Sequence, residues 1–346
     1  YASLVTEPAL SCDDFAGFLE YPPDDKLGDL AFPCFRLSKE LRKAPPVIAS
    51  TLAEGLSDEI IGEATVAGGY LNIKINPAYY AKLIPQILGK GEKYGSFDFG
   101  NGKTVVLDYS SPNVAKPFHI GHLGTTVIGH SLKMLHEFAG YNCIGVNHLG
   151  DWGTQFGKMI VAYKKWGDKE AVEKGQCDEL VALYVKFHEE AEKHPELEDE
   201  ARHEFTKLEH HDEENMKLWQ WFIDISLKEY QKTYDQLGIT FDSYKGESFY
   251  YDKVPAVVEE LREKGLLKMD DGAAIVDLEK YGMPPCLILK NDGSSIYPSR
   301  DIAAAEYRKK TYDFDKCIYV TSAGQSLHFR QWFKVVELMG YDWAKD

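Results

Sequence analysis

The chain has 346 residues, and 39 Lys and Arg against 55 Asp and Glu give a formal net charge of −16. That length accommodates about two domains with cores of their own. The charge speaks against a general nucleic-acid coat or an anionic-membrane binder, so a polyanion must be met by a local basic patch. With 44% hydrophobic, 13% aromatic and 27% charged residues, the composition is globular, and no run nears the roughly 18 apolar residues of a membrane span.

Residues 1 to about 98 read as a small α+β domain. The opening YASLVTEPAL lacks the basic start and long apolar run of a secretion signal, and with Tyr1 in first place the chain is expected to be a piece of a longer one. Leu71, Ile73 and Ile75 alternate as in a half-buried strand that Pro77 ends. The turn-rich stretch from Gly89 to Gly102 reads as a linker to the second domain, 99–346. There Thr104–Tyr109 reads as a buried strand, and Thr125–Ala139 as a helix whose apolar face is Ile128, Leu132, Leu135 and Phe138. Cys143–Val146 reads as the next strand, which completes a βαβ unit. A ligand is expected beyond the carboxyl ends of these strands, where residues 110–113 and 147–152 lie.

Residues 158 to about 237 are long, charged and helical in period, a helical insertion rather than sheet. From about 240 to 310 the chain returns to short strands and turns (FDSYKGESFYY, AAIVDL, LILKNDGSSIY), and IYV at 318–320 reads as a further buried strand. The cysteines, Cys12, Cys34, Cys143, Cys177, Cys286 and Cys317, are scattered without a CxxC pair. They read as reduced cytosolic thiols with no protein-bound zinc.

The densest chemistry lies in Asp108-Tyr-Ser-Ser-Pro-Asn-Val-Ala-Lys-Pro-Phe-His-Ile-Gly-His122, a strand end, a loop and a helix start. His119 and His122 flank Gly121 with Lys116 upstream, and backbone N–H groups and a helix dipole add to these donors, so the natural ligand is a nucleotide triphosphate. By itself HxxH is equally a metal pair or a helix cap; the metal reading lacks the i, i+4 spacing and the carboxylate of HExxH.

In its setting, His-Ile-Gly-His resembles the first signature of class I aminoacyl-tRNA synthetases. Asn-His-Leu-Gly-Asp-Trp-Gly-Thr-Gln-Phe-Gly (147–157), Tyr-Pro-Ser-Arg-Asp-Ile-Ala (297–303) and Gln-Ser-Leu-His-Phe-Arg-Gln (325–331) follow in an order similar to arginyl-tRNA synthetases. Gly28-Asp-Leu-Ala31 and Gly69-Tyr-Leu-Asn-Ile73 resemble the same family's amino-terminal addition, a tRNA-contacting domain. The resemblance implies a Rossmann-like parallel-sheet catalytic domain that joins arginine to ATP as arginyl-adenylate and then passes arginine to tRNA(Arg), in a cytoplasmic monomer without a membrane partner. It implies Lys116, His119 and His122 as catalytic groups and ATP, with its Mg2+, held by these with Gly121 and His328. Arginine is implied to meet Asp108, Asn113, Glu247, Tyr297, Asp301 and Gln325. No metal ligand among the protein side chains is implied.

Bland readings stand beside these. Asp108 can cap a turn, Asn113 can shape its loop, Tyr297 can be a half-buried aromatic, and Asp301 can complement a helix dipole. Asp151 and Trp152 fit packing and a site wall equally. His203, His210 and His211 suit a solvated helix face better than a metal site. Two departures from the family pattern matter: Gly124 stands where the family usually carries Arg, and no Lys- and Ser-rich KMSKS-like loop or anticodon-binding domain appears before Asp346. The expectation is therefore a truncated synthetase, weak or inactive in charging. The rivals are a tRNA-independent adenylate-forming enzyme on the same sheet and a binding module that has lost catalysis.

Overall fold

The computed structural model describes residues 11–345, which divide between Gly95 and Ser96 into two compact units. In the first, helix α1 (Cys12–Gly17) starts on a Ser11 cap, and strand β1 (Leu30–Pro33) follows. Helices α2 (Ser38–Leu41) and α3 (Pro45–Glu54) precede strands β2 (Ile61–Ala67) and β3 (Tyr70–Ile75) and helix α4 (Pro77–Lys90). The alternating segment is β3, the centre of an antiparallel sheet ordered β1-β3-β2. It ends where Asn76 Oδ1 accepts from Ala78 N at 3.0 Å and Pro77 opens α4. Phe32, Leu37, Ile48 and Leu71 form the core of this unit.

Gly28-Asp29 has a local reason. At φ 137° a Cβ on residue 28 would sit 2.8 Å from the Ile73 carbonyl oxygen. Without it, Asp29 N donates to that oxygen at 2.8 Å and the Asp29 carboxylate accepts from Ile75 N at 2.7 Å.

The second unit is built on strand β4 (Thr104–Asp108), helix α5 (Ile120–Phe138) and strand β5 (Asn142–Val146). The helical insertion is α6 (Thr154–Trp166), α7 (Lys169–Gly175), α8 (Cys177–Lys193), α9 (Glu196–Glu209) and α10 (Glu213–Leu237), packed around Phe156, Ile160, Phe187 and Phe222. Next come α11 (Glu247–Tyr251), α12 (Val254–Glu263) and an antiparallel sheet of β6 (Leu267–Asp270), β7 (Ala273–Val276) and β8 (Cys286–Leu289). Helix α13 (Tyr297–Tyr312), strand β9 (Lys316–Tyr319) and helix α14 (Ser326–Leu338) complete it. Strands β5, β4 and β9 pair in that order, all parallel, with Val105 opposite both Cys143 and Lys316. Among the described residues, no helix is long and apolar enough to cross a membrane.

Two expectations are corrected. The aromatic run FDSYKGESFYY suggests a strand by local propensity, yet its second half is helix α11. The Asp151 carboxylate accepts from Ser248 N at 2.8 Å and Ser248 Oγ at 2.7 Å, which supplies the partners a helix start needs. Helix α5 begins at Ile120, and it turns Ile128, Leu135 and Phe138 outward while Thr126, Gly129 and Lys133 are buried. The reason is steric and polar: a Cβ at Gly129 would lie 2.2 Å from Tyr109 Cβ, and Lys133 reaches Asp242 at 3.0 Å.

Candidate active site

The carboxyl ends of β4 and β5 lead into the two loops expected to line the crevice. The β4 loop carries three non-glycine residues with left-handed backbone, Ser110, Ser111 and Ala115, at φ 73°, 48° and 60°. The insertion holds it in that shape. Tyr234 OH bonds Ser110 Oγ at 2.7 Å, Ser226 Oγ accepts from Ala115 N at 2.9 Å, and Tyr230 OH lies 2.8 and 2.7 Å from the carbonyl oxygens of Asn113 and Lys116. Asn113 lies against Gly150, where the backbones exchange bonds of 3.1 Å, Val114 N to Gly150 O and Gly150 N to Pro112 O. Lys116 is exposed on the same loop.

At the start of α5 the rings of His119 and His122 stack, centroids 3.8 Å apart. His119 Nδ1 accepts from Gly121 N at 3.1 Å, and His122 Nδ1 accepts from His119 N at 3.4 Å. With both Nδ1 atoms accepting, the neutral rings carry their protons on Nε2 and offer two N–H donors beside the helix N-terminus. Burial, aided by His119 and Lys116, lowers His122 to about 4, which keeps that ring neutral at pH 7. Gly121 keeps this approach open: a Cβ there would lie 2.9 Å from the His119 ring, which would have to shift.

Asp108 has both oxygens occupied. Arg308 Nη2 pairs with Oδ2 at 2.8 Å and Ser111 Oγ donates to Oδ1 at 2.8 Å. The same Arg308 nitrogen donates to His148 Nδ1 at 3.1 Å, and His148 N donates to Ser111 Oγ at 3.2 Å. These four bonds close a ring that ties β4, its loop, β5 and α13 together. Arg308 is buried, with its guanidinium 5.5 Å from the Tyr319 ring, and His148 stacks on Tyr250 at 5.4 Å.

The first turns of α13 carry the remaining predicted residues. Tyr297 is 56% exposed, and the Arg300 guanidinium lies 5.0 Å from its ring. Arg300 also pairs with Glu247 at 3.1 Å, both groups buried. Asp301 is held by His328, Oδ2 to Nε2 at 2.6 Å, so a residue expected beside ATP and one expected beside arginine are direct partners. Gln325 is exposed in the turn before α14 and accepts from Thr321 Oγ1 at 3.0 Å. Trp152 resolves toward packing, buried against Phe205, Trp219 and Tyr251, while the Asp151 carboxylate is bonded to Ser248 at the start of α11. Among the described residues, no group of three or more His, Cys, Asp or Glu is placed to hold a metal ion, and His210 Nδ1 is spent on the Thr206 carbonyl at 2.7 Å.

Sequence reasoning missed Arg300, Arg308, His148 and Ser111. Arg300 and Arg308 lie eight apart, so they share one helix face, together with Ala304. Two cations flanking that buried alanine was the available signal that buried anions must face them.

Comparison with known proteins settles the family. A family model described as tRNA synthetases class I (R), catalytic domain, matches residues 83–345. The chain belongs to this class I tRNA synthetase family. A second model, Arginyl tRNA synthetase N terminal domain, matches residues 7–75. The arginine–tRNA ligase of Alkaliphilus metalliredigens is 59% identical over 95% of this chain and 58% of its own length, and that of Clostridioides difficile is 59% identical over 97% and 60%. This synthetase chain thus spans about three fifths of the length of the curated relatives it matches. Among solved structures, the arginyl-tRNA synthetase of Plasmodium falciparum is similar at a TM-score of 0.64 and 28% identity, over 94% of this chain and 58% of that one. That of Thermus thermophilus shares the fold, with TM-score 0.66 at 22% identity over 94% of this chain and 60% of its own.

Proposed function

We propose that this chain is the amino-acid-activating part of an arginyl-tRNA synthetase, which joins arginine to ATP as arginyl-adenylate and, in the full-length protein, transfers arginine to tRNA(Arg). The observation that carries it is the pair Tyr297 and Asp301 on the first turns of α13, in a chain of this family. A carboxylate with an aromatic neighbour suits a planar guanidinium, whereas a point ammonium leaves acceptors unpaired. Around the substrate we assign Asp301, Glu247, Tyr297 and Gln325 to the side chain and Asn113 to the amino-acid backbone. Asp108, fully bonded to Arg308 and Ser111, shapes that wall from behind.

The arginine carboxylate is ionised at neutral pH, so its attack on the α-phosphorus needs alignment and charge stabilisation rather than a strong base. His119 and His122 donate from Nε2 to phosphate oxygens as charge shifts toward the departing pyrophosphate, and Lys116 neutralises it. Gly121 lets the backbone come close, His328 borders the nucleotide, and Mg2+ arrives with ATP on its phosphates. We further assign residues 1–98 to tRNA contact and 99–346 to catalysis, with the insertion at 158–237, in a cytoplasmic monomer.

The test is arginine-dependent ATP–pyrophosphate exchange in a chain extended to the length of its relatives, with and without tRNA. Exchange with arginine and not lysine is expected; a folded protein that exchanges under neither condition overturns the reading. The 346-residue chain alone is expected to bind arginine and to charge tRNA weakly or not at all.

A further inference from the structure

Arg300 presents a guanidinium where the proposed substrate's guanidinium has its partners. It is 6% exposed, pairs with Glu247 at 3.1 Å, lies 5.0 Å from the Tyr297 ring, and is tethered to Ser295 through its carbonyl at 3.3 Å and its hydroxyl at 3.2 Å. Glu247 is 8% exposed and sits at the start of α11, where the Asp151 carboxylate accepts from Ser248 N in the first turn. A carboxylate this deep stays charged only if a cation or strong donors face it. We propose that Arg300 is a positioning residue of the arginine pocket, one that anchors the Glu247 carboxylate and the Tyr297 ring so that both face an incoming guanidinium. This rests on the arginine-activating reading above.

The surroundings leave Arg300 that task alone. Glu247 is faced by Arg300, Asp301 and Tyr297 of α13 and by Asp151 of the β5 loop. Of these only Arg300 is a cation. Tyr251 on the helix of Glu247 and His148 beyond β5 also feel Arg300, and Asp301 is taken up by His328. Burial pushes Glu247 up to about 8, with Arg300 the main opposing influence. Loss of Arg300 therefore raises it further, so that turning Glu247 into an anion for an incoming guanidinium costs more at neutral pH.

The experiment is calorimetric arginine binding to the present chain at pH 6.5, 7.5 and 9, for the wild type and for Arg300→Met, Arg300→Lys, Glu247→Gln and the Arg300→Met/Glu247→Gln pair, with ATP binding and thermal melts as fold controls. An ion pair shifts a carboxylate by about one to three units, so Arg300→Met should bind arginine about tenfold or more weakly at pH 6.5 to 7.5. The deficit should narrow at pH 9. Arg300→Lys should restore part of it, and in the Glu247→Gln background the Met substitution should cost nothing that depends on pH. The double variant also removes both charges together, which keeps a folded protein available should Arg300→Met alone fail to fold. A deficit equal at every pH, a pH-dependent deficit that persists without Glu247, or no deficit overturns the assignment of Arg300 alone. A wild type that binds no arginine overturns the parent reading and this one with it.

Discussion

Asp301 and Glu247 are both acidic, both predicted to meet arginine, and differently placed. Asp301 is partly open and bonded to His328 at 2.6 Å, whereas Glu247 is buried against Arg300. Asp301→Ala is therefore expected to lower arginine affinity by about 100-fold, the loss of a charged hydrogen-bonding partner, and to leave ATP affinity within about twofold. Equal loss of both ligands in a binding titration would remove Asp301 from the guanidinium. Glu247 makes itself felt in stability. Its value rises from 4.5 toward about 8 on folding, so the native state holds its proton more tightly. That contribution is fully present below about pH 4.5 and is lost as pH climbs through 8. The urea midpoint of Glu247→Gln should consequently fall less than that of the wild type between pH 5 and 8; parallel curves would contradict it. At this scale residue types were legible. His119, His122, Tyr297 and Asp301 stand at helix starts as their motifs suggest, but the partner of each carboxylate came from elsewhere in the chain.

Among the elements, α5 and α10 do work that their periodicity hides. Helix α5 looks amphipathic through Ile128, Leu132, Leu135 and Phe138, yet it seats itself on the sheet with Gly129 against Tyr109. Gly129→Ala should destabilise by about 1–3 kcal/mol or more through overpacking. Gly124→Ala on the same helix, with nothing within 4 Å of its Cβ, should stabilise by about 0.5–1 kcal/mol. Urea denaturation of the two variants checks both signs. Helix α10 reads as part of a charged insertion, and its buried Ser226, Tyr230 and Tyr234 turn out to clamp the left-handed loop after β4. Tyr230→Phe removes a donor shared by two loop carbonyls, at a cost of about 1–3 kcal/mol. Amide exchange across residues 110–118 should quicken in that variant while β4 stays protected. Unchanged exchange would mean the loop holds its shape without the clamp.

At the scale of the whole molecule, a net charge of −16 bears on RNA more than on arginine. Counterion release scales with the cations brought to phosphates, so the present chain should bind tRNA no better than the non-specific range of about 10⁻⁴ to 10⁻⁶ M near physiological salt. Filter binding checks this, and a nanomolar affinity for tRNA(Arg) would mean that a basic surface is assembled here despite the overall charge. What the sequence by itself determined was the parallel βαβ frame, the helical insertion, the histidine pair at a helix start and the family resemblance. These are set by local periodicity, turn chemistry and contiguous motifs, all within reach of a short window. Only the tertiary structure decided which face of α5 is buried, that FDSYKGESFYY ends in a helix, and that Asp108 and Glu247 are matched by Arg308 and Arg300, because a buried charge takes its partner from whatever element the fold brings beside it. Asp108 and Arg308 are 200 residues apart in the chain and 2.8 Å apart in space.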